Sequence, residues 1–301
     1  MLGVTILGNN SAVPAFDRHP TSQVLTMTNR KFLIDCGEGT QIQLIRYKIR
    51  RSRISHIFIS HLHGDHYFGL VGLLNSFALL GRQQELHLIG PPALQEILEL
   101  QFRLADTRLS YPFHFHPLQQ PGYLMTVDDI EISCFRTDHR IECFGFVFRE
   151  RKNPRRIDPD AAAAHNLHYS WFEKLQQGMD YTAPDGTIIN NELLTQPGPK
   201  GRTYAYCADT KYDESFIPVL KDADMIYHEA TYLENFAEQA RVRFHSTSKQ
   251  AALIAKKANV KKLLVGHFSS RYDVLDEFEK ETREVFPNTD LALEGVCYRM
   301  P

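Results

Sequence analysis

The chain has 301 residues, 43% of them hydrophobic and 23% charged, with a net charge of −2. These values suit a globular protein, and the near-neutral balance gives no global attraction to nucleic acid. No uninterrupted apolar stretch approaches the roughly 20 residues a membrane helix needs, and the opening "MLGVTILGNN" lacks the basic segment of a signal peptide.

In chain order, short β-branched and aromatic runs predict strands at 4–8, 22–28, 31–35, 56–60 and 86–90. Helical spacing between and after them predicts helices at 38–46, 65–80 and 92–101. The helix at 65–80 is apolar almost all round and is therefore expected to be buried. Further strands are expected at 130–135, 143–149, 203–208, 224–228 and 262–267, with helices at 214–221, 246–258 and 273–285. Ser246 or Ser248 is the expected cap of the helix at 246–258. Strands that alternate with helices indicate an α/β fold with helices covering sheets. Residues 151–201 break the rhythm with prolines, glycines and turn dipeptides. A stretch this long reads as an insertion within a single domain spanning 1–301. A small hairpin or helix is expected around Trp171, with Tyr169, Trp171 and Phe172 as the insertion's own core.

The stretch "ISHLHGDHYFGL", 59–70, carries three histidines and an aspartate just after a strand. His61 and His63 are two apart, so an extended backbone aims them to one side. Gly64 follows where the chain turns, and Asp65 and His66 open the next helix. Two adjacent, differently aimed pairs suit two metal ions better than one. No cysteine lies near to close a structural zinc site, and His/Asp ligation favours zinc, with manganese or iron as alternatives. Other strands end on ligand types too: His139 after 130–135, Asp209 after 203–208 and His267 after 262–267. His114, His116, His165 and His168 have no ligand-like context and read as surface or satisfied polar residues. The five cysteines, at 36, 134, 143, 207 and 297, are odd in number and without paired spacing, as in a cytoplasmic protein with reduced thiols. The basic runs "RYKIRRSR" (46–53) and "RERKNPRR" (149–156) fit either solvated faces or a local phosphate-binding footprint.

The "SHLHGDH" string resembles the HxHxDH signature of the metallo-β-lactamase superfamily. With "DCGEGTQIQL" (35–44), "HEAT" (228–231), "HSTSKQAA" (245–252) and "HFSSRY" (267–272), nearly the whole chain is similar to the ribonuclease Z family in its short form. The resemblance implies an αββα four-layer sandwich with a flexible inserted arm, 151–201, that grips tRNA. It implies two zinc ions, one on His61, His63 and His139, the other on Asp65, His66 and His267, with Asp209 bridging. Asp35 would order the site, and Asp65 would orient and deprotonate the attacking water. His245, held by Glu229, would donate a proton to the leaving oxygen, while His228 would be structural. Ser269 and Arg271 could contact a phosphate. The implied activity is 3′ processing of precursor tRNA by a homodimer, leaving a 3′-hydroxyl. The alternative is hydrolysis of a small phosphodiester or other ester, against which the insertion and the run at 46–53 argue. The sequence departs from the family in the arm, where "HNLHYSWFEKLQQG" lacks the usual Gly-Pro pair, and in the early loop "GNNSAVPAFDRHPTS". Both bear on tRNA affinity and cleavage position, not on the metal site.

Overall fold

Alternation along the strands decides the layers. In Phe32–Leu33–Ile34, Phe32 and Ile34 belong to one buried cluster and Leu33 to another; Phe146–Val147–Phe148 behaves the same way. Each sheet therefore presents two apolar faces, which only a stack of more than two layers can bury. The computed structural model describes residues 2–151 and 154–301. Lys152 and Asn153, in the second basic run and at the start of the insertion, lie outside the described residues.

The first half builds strands β1 (Gly3–Gly8), β2 (Ser22–Met27), β3 (Arg30–Cys36), β4 (Ile54–Phe58), β5 (Leu86–Gly90) and β6 (Phe113–Pro117). Helices α1 (Thr40–Arg46), α2 (Gly64–Tyr67), α3 (Leu70–Leu79) and α4 (Ala93–Leu104) lie between them. Then come β7 (Gly122–Val127), β8 (Ile130–Arg136) and β9 (Phe144–Glu150). The excursion that follows holds β10 (Arg156–Ile157), α5 (Pro159–Ala164), α6 (Phe172–Gln176), β11 (Tyr181–Thr182), β12 (Ile188–Ile189), α7 (Asn191–Leu194) and β13 (Thr195–Gln196). The last part has β14 (Thr203–Cys207), α8 (Ile217–Leu220), β15 (Met225–Glu229), α9 (Ala237–Arg243), α10 (Ser248–Lys257), β16 (Leu263–Gly266), α11 (Asp276–Val285), β17 (Thr289–Leu291) and β18 (Cys297–Arg299).

Two seven-stranded sheets result, ordered β18-β1-β2-β3-β4-β5-β6 and β17-β16-β15-β14-β9-β8-β7. Their facing surfaces share an aromatic core: the Phe58 ring lies 5.2 Å from Phe146 and 5.1 Å from Phe148, edge-on in both cases. Such edge-to-face pairs add to the burial term. The outer face of the first sheet packs Leu33, Ile57 and Leu88 against Leu44, Leu73 and Leu98 of α1, α3 and α4. The second packs Ala205, Ile226 and Leu263 against Ala251, Ala255 and Phe278 of α10 and α11. This is the αββα four-layer sandwich.

Several local expectations change. The helix expected at 65–80 is broken into α2 and α3, and it is not buried all round: Leu70, Leu73, Leu74 and Phe77 face the core, whereas Leu79 is 88% exposed. The cap of α10 is Thr247, in a reciprocal capping box with Gln250, rather than either neighbouring serine. β6, β7, β17 and β18, along with α9, lack a strong pattern in the sequence and appear only where a neighbour pairs or covers them. In the excursion, Leu175, Tyr181 and Leu194 form a small separate core. Trp171 meets Tyr181 edge-on at 5.1 Å, but Tyr169 is exposed, so only part of the aromatic trio is core.

Candidate metal centre and active site

The carboxyl ends of β3, β4, β14, β15 and β16 meet, with the loop after β8, at one rim of the sandwich. There the chain holds four non-glycine residues in the left-handed region, Ala12 (φ 62°), Asp35 (φ 53°), Phe244 (φ 59°) and His267 (φ 62°). Each such conformation costs on the order of 1–3 kcal/mol and persists only where surrounding structure enforces it. All four serve the same cluster.

Within it, ring nitrogens converge. His63 Nδ1 is 3.0 Å from both His61 Nε2 and His139 Nε2. His66 Nε2 is 3.3 Å from His267 Nε2. Asp209 lies between the two groups: its Oδ2 is 3.7 Å from His61 and from His139, and its Oδ1 is 3.4 Å from His66 and 3.3 Å from His267. Asp65 Oδ2 sits 3.3 Å from His267 Nε2 and accepts a hydrogen bond from the Ala12 amide at 2.7 Å.

The far nitrogens explain why the near ones face inward. His66 Nδ1 donates to Asp35 at 2.7 Å, and His139 Nδ1 donates to the Phe244 carbonyl at 2.9 Å. The Ser60 hydroxyl gives its proton to Asp35 and accepts from His61 Nδ1 at 3.0 Å. Thr231 likewise donates to Glu229 and accepts from His267 Nδ1 at 2.8 Å. Four imidazoles thus carry their proton outward and turn an Nε2 lone pair toward a shared space. His63 is the exception. Arg140 donates to its Nε2 at 2.7 Å, so Nδ1 can serve a metal only if that contact is given up. Asp35 is fully buried and anchors the outer layer, also accepting from Tyr206 and from the Ser60 amide.

Charge makes the same demand. Asp35, Asp209 and Glu229 are buried, and among the described residues the cationic groups beside them and Asp65 are all histidines. Burial opposes charge on His66, but Asp209, Asp65 and Asp35 outweigh it and push its pKa well above the ordinary value. Burial also pushes Asp65 upward, yet His66 and the His267 contact prevail and hold it well below the usual carboxylate range. Partial burial, then the neighbouring His139, push His63 down to about 4. Converging lone pairs around an excess of carboxylate are the donor set of a cation site, and imidazole with carboxylate oxygen suits zinc and its neighbours.

Beside this cluster, His245 Nδ1 lies 2.8 Å from Glu229 Oε1. Burial alone would lower its pKa, but the Glu229 carboxylate and its hydrogen bond raise it to about 9. The cleft in front measures about 450 Å³ and is lined by residues that include Asp65, His139, His245, Ser269, Arg140 and Arg243. Ser269 therefore faces the site. Arg271 instead stacks on Phe236, 4.3 Å from the ring centroid. His228 is buried, its Nδ1 2.7 Å from the Glu229 carbonyl. The cationic lining residues come from Arg140 and Arg243; Lys48, Arg50 and Arg51 of the first basic run line a separate groove with Ile45 and Leu80. Ser60, Thr231, Phe244 and Arg140 are absent from the sequence-derived set. Ser60 opens "SHLHGDH" and Thr231 closes "HEAT", but only proximity shows what they touch.

The family described as anti-Pycsar protein Apyc1 matches residues 2–177. The chain is 40% identical over 294 residues to ribonuclease Z of Bacteroides fragilis, covering 97% of each, and 41% identical over 297 residues to that of Cytophaga hutchinsonii, covering 97% of this chain and 94% of the relative. The crystal structure of human tRNase Z, short form, superposes with a TM-score of 0.73 at 25% identity over the whole of both chains. The metallo-β-lactamase-fold protein YhfI of Bacillus subtilis, at 21% identity and a TM-score of 0.69 over 99% of this chain and 98% of its own, shares the fold. The chain belongs to the ribonuclease Z family and has the metallo-β-lactamase fold.

Proposed function

We propose that this protein is a zinc-dependent endoribonuclease that processes the 3′ end of precursor tRNA. The observation that carries the reading is the pairing, in one open cleft, of a two-sided imidazole–carboxylate cluster with a histidine held by a buried glutamate. In this reading His61, His63 and His139 would hold one metal ion, Asp65, His66 and His267 the other, with Asp209 between them. When bound, such ions would supply Lewis acidity at the phosphoryl group and lower the pKa of water toward neutral. Asp65, ionised and fixed by the Ala12 amide, orients that water and accepts its proton. His245 stands protonated, and Glu229 directs its Nδ1–H away from the cleft, so Nε2–H is free to protonate the leaving 3′-oxygen. Arg140, Arg243 and Ser269 line the path of the phosphate backbone, while Arg271 stacks on Phe236. The excursion at 151–201, with its own small core, is the arm that holds tRNA. Ile42 and Ile45 on α1, Leu79 on α3 and Leu80 just after it, all exposed, support a homodimer, and five unpaired cysteines support a cytoplasmic location. No helix among the described residues is long and apolar enough to cross a membrane.

The test is cleavage of a 3′-extended precursor tRNA by the purified protein, with and without chelator, beside Asp65→Ala. The expected result is a chelator-sensitive cut at the discriminator base that the variant does not make. An intact precursor, with hydrolysis of a chromogenic phosphodiester retained, sinks the tRNA assignment and leaves a small-substrate hydrolase.

A further inference from the structure

A second row of imidazoles lies on the first sheet, toward the end of its strands opposite to His61, His63 and His66. β4, β5 and β6 run parallel, and their register sets His56 opposite His87 and His87 opposite His114. The rings stack: His56 and His87 are 4.6 Å apart with 11° between planes, and His87 and His114 are 4.9 Å apart with 22°. Glu85, two residues before His87, projects to the same side. Its Oε2 is 3.7 Å from His87 Nε2 and 3.6 Å from His114 Nε2. One carboxylate oxygen and two imidazole nitrogens thus fall within 4.8 Å of one another. Behind them, His87 Nδ1 is 3.0 Å from His116 Nε2. When His87 donates its Nδ1 proton to His116, its Nε2 lone pair faces Glu85. Metal-binding histidines are held in this way by a partner on the other ring nitrogen. A cleft of about 1200 Å³, bounded by His56, His87, His116 and Asp128, opens beside the row.

We propose that Glu85, His87 and His114 form a binding site for a divalent cation of the zinc class, separate from the catalytic cleft, with His116 orienting His87. Two imidazoles and one carboxylate select first-row transition ions over magnesium or calcium, which take oxygen ligands. Three protein ligands leave a coordination position for water. Among the described residues β6 is an edge strand, paired only with β5. A cation shared by Glu85 and His87 on one side and His114 on the other would tie that edge strand to its neighbour.

Zinc content, measured after dialysis against a fixed free zinc concentration, tests the site. His114→Ala and Glu85→Gln alter half-exposed or exposed side chains, so the fold is not at risk. Each is expected to hold one zinc fewer than the wild type, with phosphodiester hydrolysis unchanged. His116→Ala is expected to keep the ion but bind it about 10–100-fold more weakly. Zinc should raise the melting temperature of the wild type more than that of either ligand variant. Equal zinc content in the wild type and either ligand variant overturns the three-ligand site. A zinc loss accompanied by loss of hydrolysis also overturns it, since the ion would then be leaving the catalytic cleft.

Discussion

Two histidine groups lie at opposite ends of the strands of the first sheet, the one also drawing on the second sheet and the other not, and they differ in how they are made. At the carboxyl ends of the strands, His61, His63 and His66 come from one short stretch of chain, and each of His61, His66, His139 and His267 has its far nitrogen fixed by Ser60, Asp35, Phe244 or Thr231. Toward the amino ends, His56, His87 and His114 come from three strands, and register alone brings them together. The first group is buried among carboxylates; the second opens to solvent at Glu85 and His114. The contrast teaches that imidazole density is a poor guide to role. In the first group four far nitrogens are anchored and the His245–Glu229 pair stands beside them, whereas in the second only the His87–His116 contact lies behind a ligand.

The sharpest way to break this contrast is at Asp209, whose two oxygens face the two halves of the first group. Asp209→Ala is expected to abolish precursor cleavage and to lower bound zinc, both read on the same preparation. Full activity in that variant would remove the basis for treating the cluster as the reaction centre. Next in size is His245→Ala, expected to reduce kcat by about 10²–10⁴-fold, the usual worth of a positioned general acid, with little change in bound metal. Glu229→Gln refines it. An imidazole that has lost its carboxylate partner deprotonates at lower pH, so the basic limb of the kcat profile should move to lower pH. An unmoved limb would mean that His245 does not donate the proton.

A smaller effect is expected behind the ligands. Asp35→Asn leaves the shape but weakens the acceptor for His66, Ser60 and Tyr206, and should loosen metal binding about 10–100-fold. The least effect on catalysis belongs to the second group, where His56 changes stability instead. Burial, then His87 and His116, push its pKa from 6.5 down to about 3. Between those values the unfolded chain binds a proton that the folded chain does not, so stability falls as pH drops through this window and is untouched above it. His56→Phe should flatten the pH dependence of urea unfolding there by up to one proton, with activity at neutral pH retained.

Much of this protein was legible from the order of its residues. Period-two alternation in segments such as Phe32–Ile34 marks strands with two buried faces. A ligand-rich stretch can be recognised when its members are neighbours in sequence, as at 61–66, or when each ends a strand, as His139, Asp209 and His267 do. Weak segments, among them β6, β17 and β18, stayed unread, because pairing with a neighbour rather than intrinsic preference makes them strands. Tertiary structure alone decided which side chains stand behind the ligands, since Ser60, Thr231 and the Phe244 carbonyl are ordinary groups until contact gives them a proton to accept. It also decided that His114, which reads as an unremarkable surface residue, lies beside Glu85 and His87. Sequence can show a site that local chain geometry builds, but strand register is a long-range choice, and a site built by register is visible only once the sheet has formed.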